Sequence, residues 1–199
     1  ARKLNFRRSV IPDDVVGNPS LVVFCDGSQQ AFCALVYVRW ETAHGVKVFF
    51  LTGKTRVGPQ NQVSVVRMEL NASVLEARLC ASVKKAVDFE FEHEYFFTDS
   101  TATLGLIKAD SGSLATYGGN RVGEVRSLTN FDDWYWVATD QQVADIGTRG
   151  SALPKDLAAG TRYQDGPDWL RLAKDEWPAK KVVGILPREE LSTAAKRVK

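Results

Sequence analysis

The sequence predicts an α/β fold on three observations: short apolar runs rich in β-branched and aromatic residues, one long stretch with helical periodicity, and two apolar runs that each stop on an aspartate. The first run, Leu21 to Cys25 (LVVFC), ends at Asp26-Gly27-Ser28, a turn-forming triplet, and so reads as a buried strand closing on an acid. Phe32 to Trp40 and Val46 to Thr52 follow after short connections, with Ala43-His44-Gly45 as the turn between them. These three strands read as an antiparallel meander.

From Val65 to Val87 the period changes. Met68, Ala72, Leu75, Leu79, Val83 and Ala86 recur at spacings of three and four, which places them on one face of a long helix. Ser64 suits its N-cap, and no Gly or Pro interrupts the stretch, so the helix opens close to Glu69. Tyr95 to Thr98 is the second strand that ends on an acid, Asp99, and Ser100 is placed to cap a helix through Leu104 to Lys108. Val122, Val125 and Leu128 predict a helix after Gly118-Gly119, Trp134 to Val137 a last strand, and Val143 to Thr148 a short last helix. The expected order is β-β-β-α-β-α-α-β-α.

A chain of 199 residues suits one domain with appendages. The expected division is a lead-in at 1–19, the α/β domain at 20–150, and a partly irregular extension at 151–199. Beyond Arg149-Gly150 the chain is rich in Pro, Gly, Asp and Lys, with aromatic anchors at Tyr163, Trp169 and Trp177. That is too little apolar content for a separate core, so the extension is expected to lean on the main domain and to fray near Leu191.

With 44% hydrophobic and 25% charged residues, neither wholesale disorder nor a fibrous architecture is indicated. No apolar run approaches the ~20 residues of a membrane span, and the basic start of the chain has no apolar stretch behind it. Cys25, Cys33 and Cys80 are odd in number and lack the close pairing of a zinc site, which reads as buried, reduced thiols. The setting expected is intracellular, cytoplasmic or nuclear, with no membrane partner. A net charge of +2 does not announce a nucleic-acid binder, and the basic ends read as solvated tails.

Asp26, Glu69, Asp99 and Asp145 are the candidate catalytic and metal-binding residues. Hydrolysis of a phosphodiester by two magnesium ions needs several carboxylates on rigid supports, and strand ends in open α/β sheets supply them. Taken singly, each acid has an ordinary structural reading: a turn residue, a helix cap, a solvated helix position. Four of them at the ends of the expected elements, in the order Asp, Glu, Asp, Asp, point instead to one site.

These residues resemble ribonuclease H: Cys25-Asp26-Gly27-Ser28 after the first strand, Arg67-Met68-Glu69-Leu70 opening the long helix, Thr98-Asp99-Ser100 after the fourth strand, and Asp145 on the last helix. More narrowly, the chain resembles the ribonuclease H region of Bel/Pao-type retrotransposon polyproteins. Lys54-Thr55-Arg56-Val57 with Pro59, Asn120-Arg121-Val122, Ala144-Asp145-Ile146-Gly147-Thr148-Arg149-Gly150 and Gly166-Pro167-Asp168-Trp169-Leu170 carry that likeness.

The resemblance implies a ribonuclease H-like fold, a mixed five-stranded sheet flanked by helices. It also implies an endoribonuclease that hydrolyses the RNA strand of RNA/DNA hybrids, with Mg2+ (two ions, Mn2+ as substitute) held by the four acids. A neighbouring reverse transcriptase domain of the same polyprotein is the implied protein partner. Gly27, Ser28, Ser100 and Thr101 are candidate contacts to the hybrid, since small polar groups suit a wide minor groove displaying 2′-hydroxyls.

Several positions depart from the pattern. The loop Ala138-Thr139-Asp140-Gln141-Gln142 lacks a histidine, the two histidines His44 and His93 read as structural, and no basic handle loop is evident. Val66 stands where proline is expected and Gly105 where tryptophan is expected. The alternative is therefore a non-cleaving, host-adopted module of the same fold that binds nucleic acid or a protein. An integrase-like or exonuclease-like site fits less well, because the order of acids differs and Ser28 stands where the exonuclease type needs a second acid.

Overall fold

The run LVVFC lies in β1 (Ser20–Gly27), a strand buried along its whole length. It needs no polar alternation because both of its faces are covered. Leu21, Val23 and Cys25 point into one apolar cluster with Ala72, Leu75 and Val83, while Val22 and Phe24 point into a second with Trp169 and Leu170. In this computed structural model, which describes residues 9–61 and 63–197, β1 is the centre of a mixed five-stranded sheet in the order β3-β2-β1-β4-β5. The strands β2 (Ala31–Thr42) and β3 (Gly45–Val57) form the antiparallel meander, while β4 (His93–Thr98) and β5 (Trp134–Trp136) run parallel to β1.

The long helix α1 (Val65–Ala86) starts where expected, capped by the Ser64 hydroxyl accepting from the Arg67 amide. It packs on the first cluster beside α2 (Thr101–Lys108) and α3 (Thr116–Leu128). The short helix α4 (Asp145–Thr148) lies against the ends of β1 and β2.

Within the sheet and the long helices, two expectations change. β3 runs on to Val57, because Gly53, Lys54 and Thr55 pair with Leu35, Ala34 and Cys33 of β2. Those backbone bonds need no apolar pattern, and Val57 is left 86% exposed. The glycine pair Gly118-Gly119 falls inside α3 rather than before it. A Cβ on Gly119 would lie 2.9 Å from the Ser111 carbonyl, so the approach of that loop requires the missing side chain.

Among the described residues, those beyond Gly150 form no core cluster of their own. The extension contains α5 (Arg162–Asp165), and it lends Trp169, Leu170 and Trp177 to the second cluster. Arg39, 6% exposed, ties it down by donating to the Leu170 carbonyl at 2.8 Å and the Leu172 carbonyl at 3.2 Å. Lys180 then pairs with Trp136 and covers the free edge of β5.

Past this edge the chain crosses α2, where Gly184 lies against the backbone of Gly105 with no room for a Cβ on either. That crossing explains the absence of tryptophan at position 105. The Ile185 amide donates to the Thr101 carbonyl at 2.9 Å, and the buried Glu190 accepts from Arg67 at 2.9 Å. Leu191, expected to fray, is instead bridged to Leu114 and followed by α6 (Thr193–Arg197). Its anchors lie far away in sequence, which local composition does not reveal. Of the lead-in, residues 1–8 fall outside the described residues, while the Trp40 indole donates to the Val10 carbonyl at 2.8 Å.

Candidate active site

Parallel pairing puts the two strand-end aspartates side by side. Phe24 of β1 lies opposite Phe97 of β4, and Asp26 and Asp99 each follow by two residues. α1 brings Glu69 down onto them, which Gly27 permits: a Cβ there would lie 2.5 Å from the Glu69 amide nitrogen. One carboxylate oxygen from each of Asp26, Glu69 and Asp99 then lies within 4.8 Å of the others.

Such a gathering of like charges out of water raises the proton affinity of all three. Burial, then the nearby Asp99 and Asp145, pushes Asp26 up to about 6, against a hydrogen bond from Thr148 that favours its charged form. Burial first, and the charges of Asp26 and Asp99 second, push Glu69 up to about 9. Asp99 is raised by burial, partly offset by the Thr139 hydroxyl and its own backbone amide. Glu69 Oε2 is buried without a hydrogen bond among the described residues. Oxygen donors only, crowded and with one left unsatisfied, are a donor set that suits a hard divalent cation such as magnesium. A bound cation would reverse the upward shifts.

Asp145, the fourth candidate, opens α4 beside this group but is not part of it. Its carboxylate pairs with Arg149 one turn on, while its charge still acts on Asp26 and Asp99. Of the expected nucleic-acid contacts, Ser28 turns its hydroxyl into its own loop, accepting from the amides of Gln30 (3.2 Å) and Ala31 (3.1 Å). Ser100 caps α2 by accepting from the Thr103 amide at 3.1 Å, and the Thr101 carbonyl is taken by Ile185. Gly27 is covered by the first turn of α1.

Within Ala144 to Gly150 the sequence assigns a role only to Asp145. Gly147 has no room for a Cβ because Cys33 lies against it, Thr148 donates to Asp26 Oδ2, and Arg149 holds Asp145. Thr139, in the loop that lacks a histidine, supports Asp99. Buried Gln142 pins the same loop by donating to the Phe97 carbonyl at 3.2 Å. A hydroxyl one helical turn after an acid was the available signal for Thr148. His44 and His93 are exposed at a turn and a strand start.

A family model described as the Pao retrotransposon-like RNaseH-like domain matches residues 1–100, the span that carries Asp26, Glu69 and Asp99. No curated protein matches the chain. Among solved structures, it is similar to the N-terminal RNase H domain of Rv2228c from Mycobacterium tuberculosis, solved as a fusion with maltose-binding protein. That pair has 14% identity over 64% of this chain and 89% of the other, with a TM-score of 0.45. RNase H1 from Halobacterium salinarum NRC-1 has 14% identity over 70% and 99% of the two chains, with a TM-score of 0.40. RuvC from Thermus thermophilus has 13% identity over 76% and 87%, with a TM-score of 0.35.

Proposed function

The chain belongs to the Pao retrotransposon-like RNaseH-like domain family, and from that premise we propose that it is an endoribonuclease cleaving the RNA strand of RNA/DNA hybrids. The observation that carries this reading is the convergence of the Asp26, Glu69 and Asp99 carboxylates on one another. Two buried acids and a half-buried one held together raise the energy of the folded chain unless something positive joins them.

Asp26, Glu69, Asp99 and, after release from Arg149, Asp145 would hold two magnesium ions, for which manganese would substitute. When bound, such ions supply an activated water and stabilise the leaving oxygen of an in-line displacement, giving a 5′-phosphate and a 3′-hydroxyl. The acids keep their relative positions because two sit on rigid strand ends and Glu69 on a helix locked over Gly27. Choice of RNA over DNA would come from contacts to the 2′-hydroxyl. Arg56 and Arg121, which line a groove between the end of β3, α1 and α3, would take up phosphate charge.

The connection from α2 to α3, residues 109–115, contains no Lys or Arg, so a neighbouring reverse transcriptase domain of a polyprotein would share the task of holding the hybrid. Among the described residues no helix is long and apolar enough to cross a membrane. The reading of the chain as intracellular rests on its reduced cysteines.

The test is incubation of the chain with labelled hybrid and magnesium beside Asp26→Asn and Asp99→Asn. Magnesium-dependent RNA cleavage by the wild type, lost in both variants, is expected. Cleavage that survives both substitutions overturns the site.

A second reading, a non-cleaving module that keeps the fold, draws on the pairing of Asp145 with Arg149. Hybrid binding without metal uptake would favour it.

A further inference from the structure

We infer that Thr148 is a positioning residue for Asp26, setting which carboxylate oxygen is turned toward the metals. The inference rests on the metal-site reading proposed above. Thr148 is 5% exposed and donates its hydroxyl to Asp26 Oδ2 across 122 positions of sequence. A carboxylate free to rotate offers either oxygen; one oxygen tied to a hydroxyl leaves the other for a cation, in a single orientation. Groups that touch a metal ligand rather than the metal govern ligand geometry in this way.

The seating of α4 shows that this contact does not depend on the Thr148 side chain alone. Gly147 lies flush on Cys33 of β2, and the Thr55 hydroxyl of β3 donates to the Gly147 carbonyl at 3.2 Å. These two strand groups hold the helix so that Thr148 stands over Asp26. The hydroxyl has one proton and two acceptors within reach, the Asp26 Oδ2 carboxylate oxygen and, at 3.1 Å, the backbone carbonyl of Asp145 one turn back in its own helix. A residue serving only to fill space would need the methyl group and not the hydroxyl.

Replacement by Val keeps the shape and removes the hydroxyl, Ala removes it without any steric demand, and Ser keeps it while losing only the methyl. Manganese binding to the full chain would be measured by calorimetry for wild type, Thr148→Val, Thr148→Ala and Thr148→Ser, with thermal melts in chelator as the control for folding. Val and Ala are expected to weaken manganese binding by about 10- to 100-fold and to raise the magnesium concentration for half-maximal cleavage by a similar factor. Ser is expected to stay near wild type in both.

Wild-type affinity in Thr148→Val or Thr148→Ala overturns the inference, as does a Ser variant as weak as Val. A wild-type chain that takes up no manganese overturns the metal site itself, and with it this role. If Val fails to fold, Ala and Ser decide by the same criteria.

Discussion

Glu69 and Glu76 lie two turns apart on the same side of α1, and both are buried, at 9% and 0% exposure. Burial drives the proton affinity of each upward. What differs is the company. Glu69 meets Asp26 and Asp99, whose charges raise it further, while Glu76 meets no second acid among the described residues and is pulled back in part by hydrogen bonding with the Cys25 thiol and the Phe97 backbone. An isolated buried acid answers burial by keeping its proton. Acids drawn together raise one another's proton affinity and also offer several oxygens to one cation, and that distinguishes a candidate site from a buried charge.

The largest effect expected from this contrast is on chemistry. Glu69→Gln should cut magnesium-dependent cleavage by about a thousandfold, roughly 4 kcal/mol of barrier, and abolish manganese uptake. Glu76→Gln should leave both unchanged. Calorimetry and a hybrid-cleavage assay on the two variants decide, and loss of metal uptake in Glu76→Gln would break the comparison.

The pH dependence of stability comes next. Asp26 near 6 and Glu69 near 9 retain protons that the unfolded chain has released above about pH 4. The folded state then binds more protons, so stability falls as pH rises, by about 1.4 kcal/mol per pH unit for each proton retained. Asp26 contributes to that fall from about pH 4 to about 6, and Glu69 up to about 9. Saturating magnesium should remove the slope due to these two and leave the part due to Glu76. Urea melts with and without the ion, from about pH 5 to about 8, would expose a slope that magnesium does not alter.

Smaller still, Glu76→Met replaces a fully buried acid by an apolar chain of similar length. It should stabilise the protein by about 1 to 3 kcal/mol in urea denaturation, with cleavage unchanged. The smallest effect belongs to Arg149→Ala. The Arg149 side chain is 62% exposed, so losing the pair with Asp145 should change stability by less than about 0.5 kcal/mol. Metal affinity should hold or tighten as Asp145 is freed; a clear weakening would make Arg149 part of the site.

The candidate site was partly legible in advance. Asp26 and Asp99 announced themselves because an apolar run stopped on each, and Glu69 because a capped helix opened just before it. Asp145 rested on the motif around it, and its engagement by Arg149 depends on a side-chain contact that the spacing allowed but did not require. Thr148 was quoted and passed over. A hydroxyl one turn after Asp145 signalled a polar group on that side of the helix, but not the second acid it reaches across the fold.

By itself, the sequence determined the central strands, the long helix and their order, because those elements carry apolar residues at periods set by the backbone. It also determined which acids stand at element ends. Tertiary structure alone decided that three of them meet within 4.8 Å, that β3 continues through exposed residues, and that the extension wraps β5 and α2 to anchor Glu190 on Arg67. Each of these depends on pairing between segments far apart in the chain. Such contacts arise from backbone hydrogen bonds, glycine-to-backbone approaches and single ion pairs, none of which leaves a local period to read.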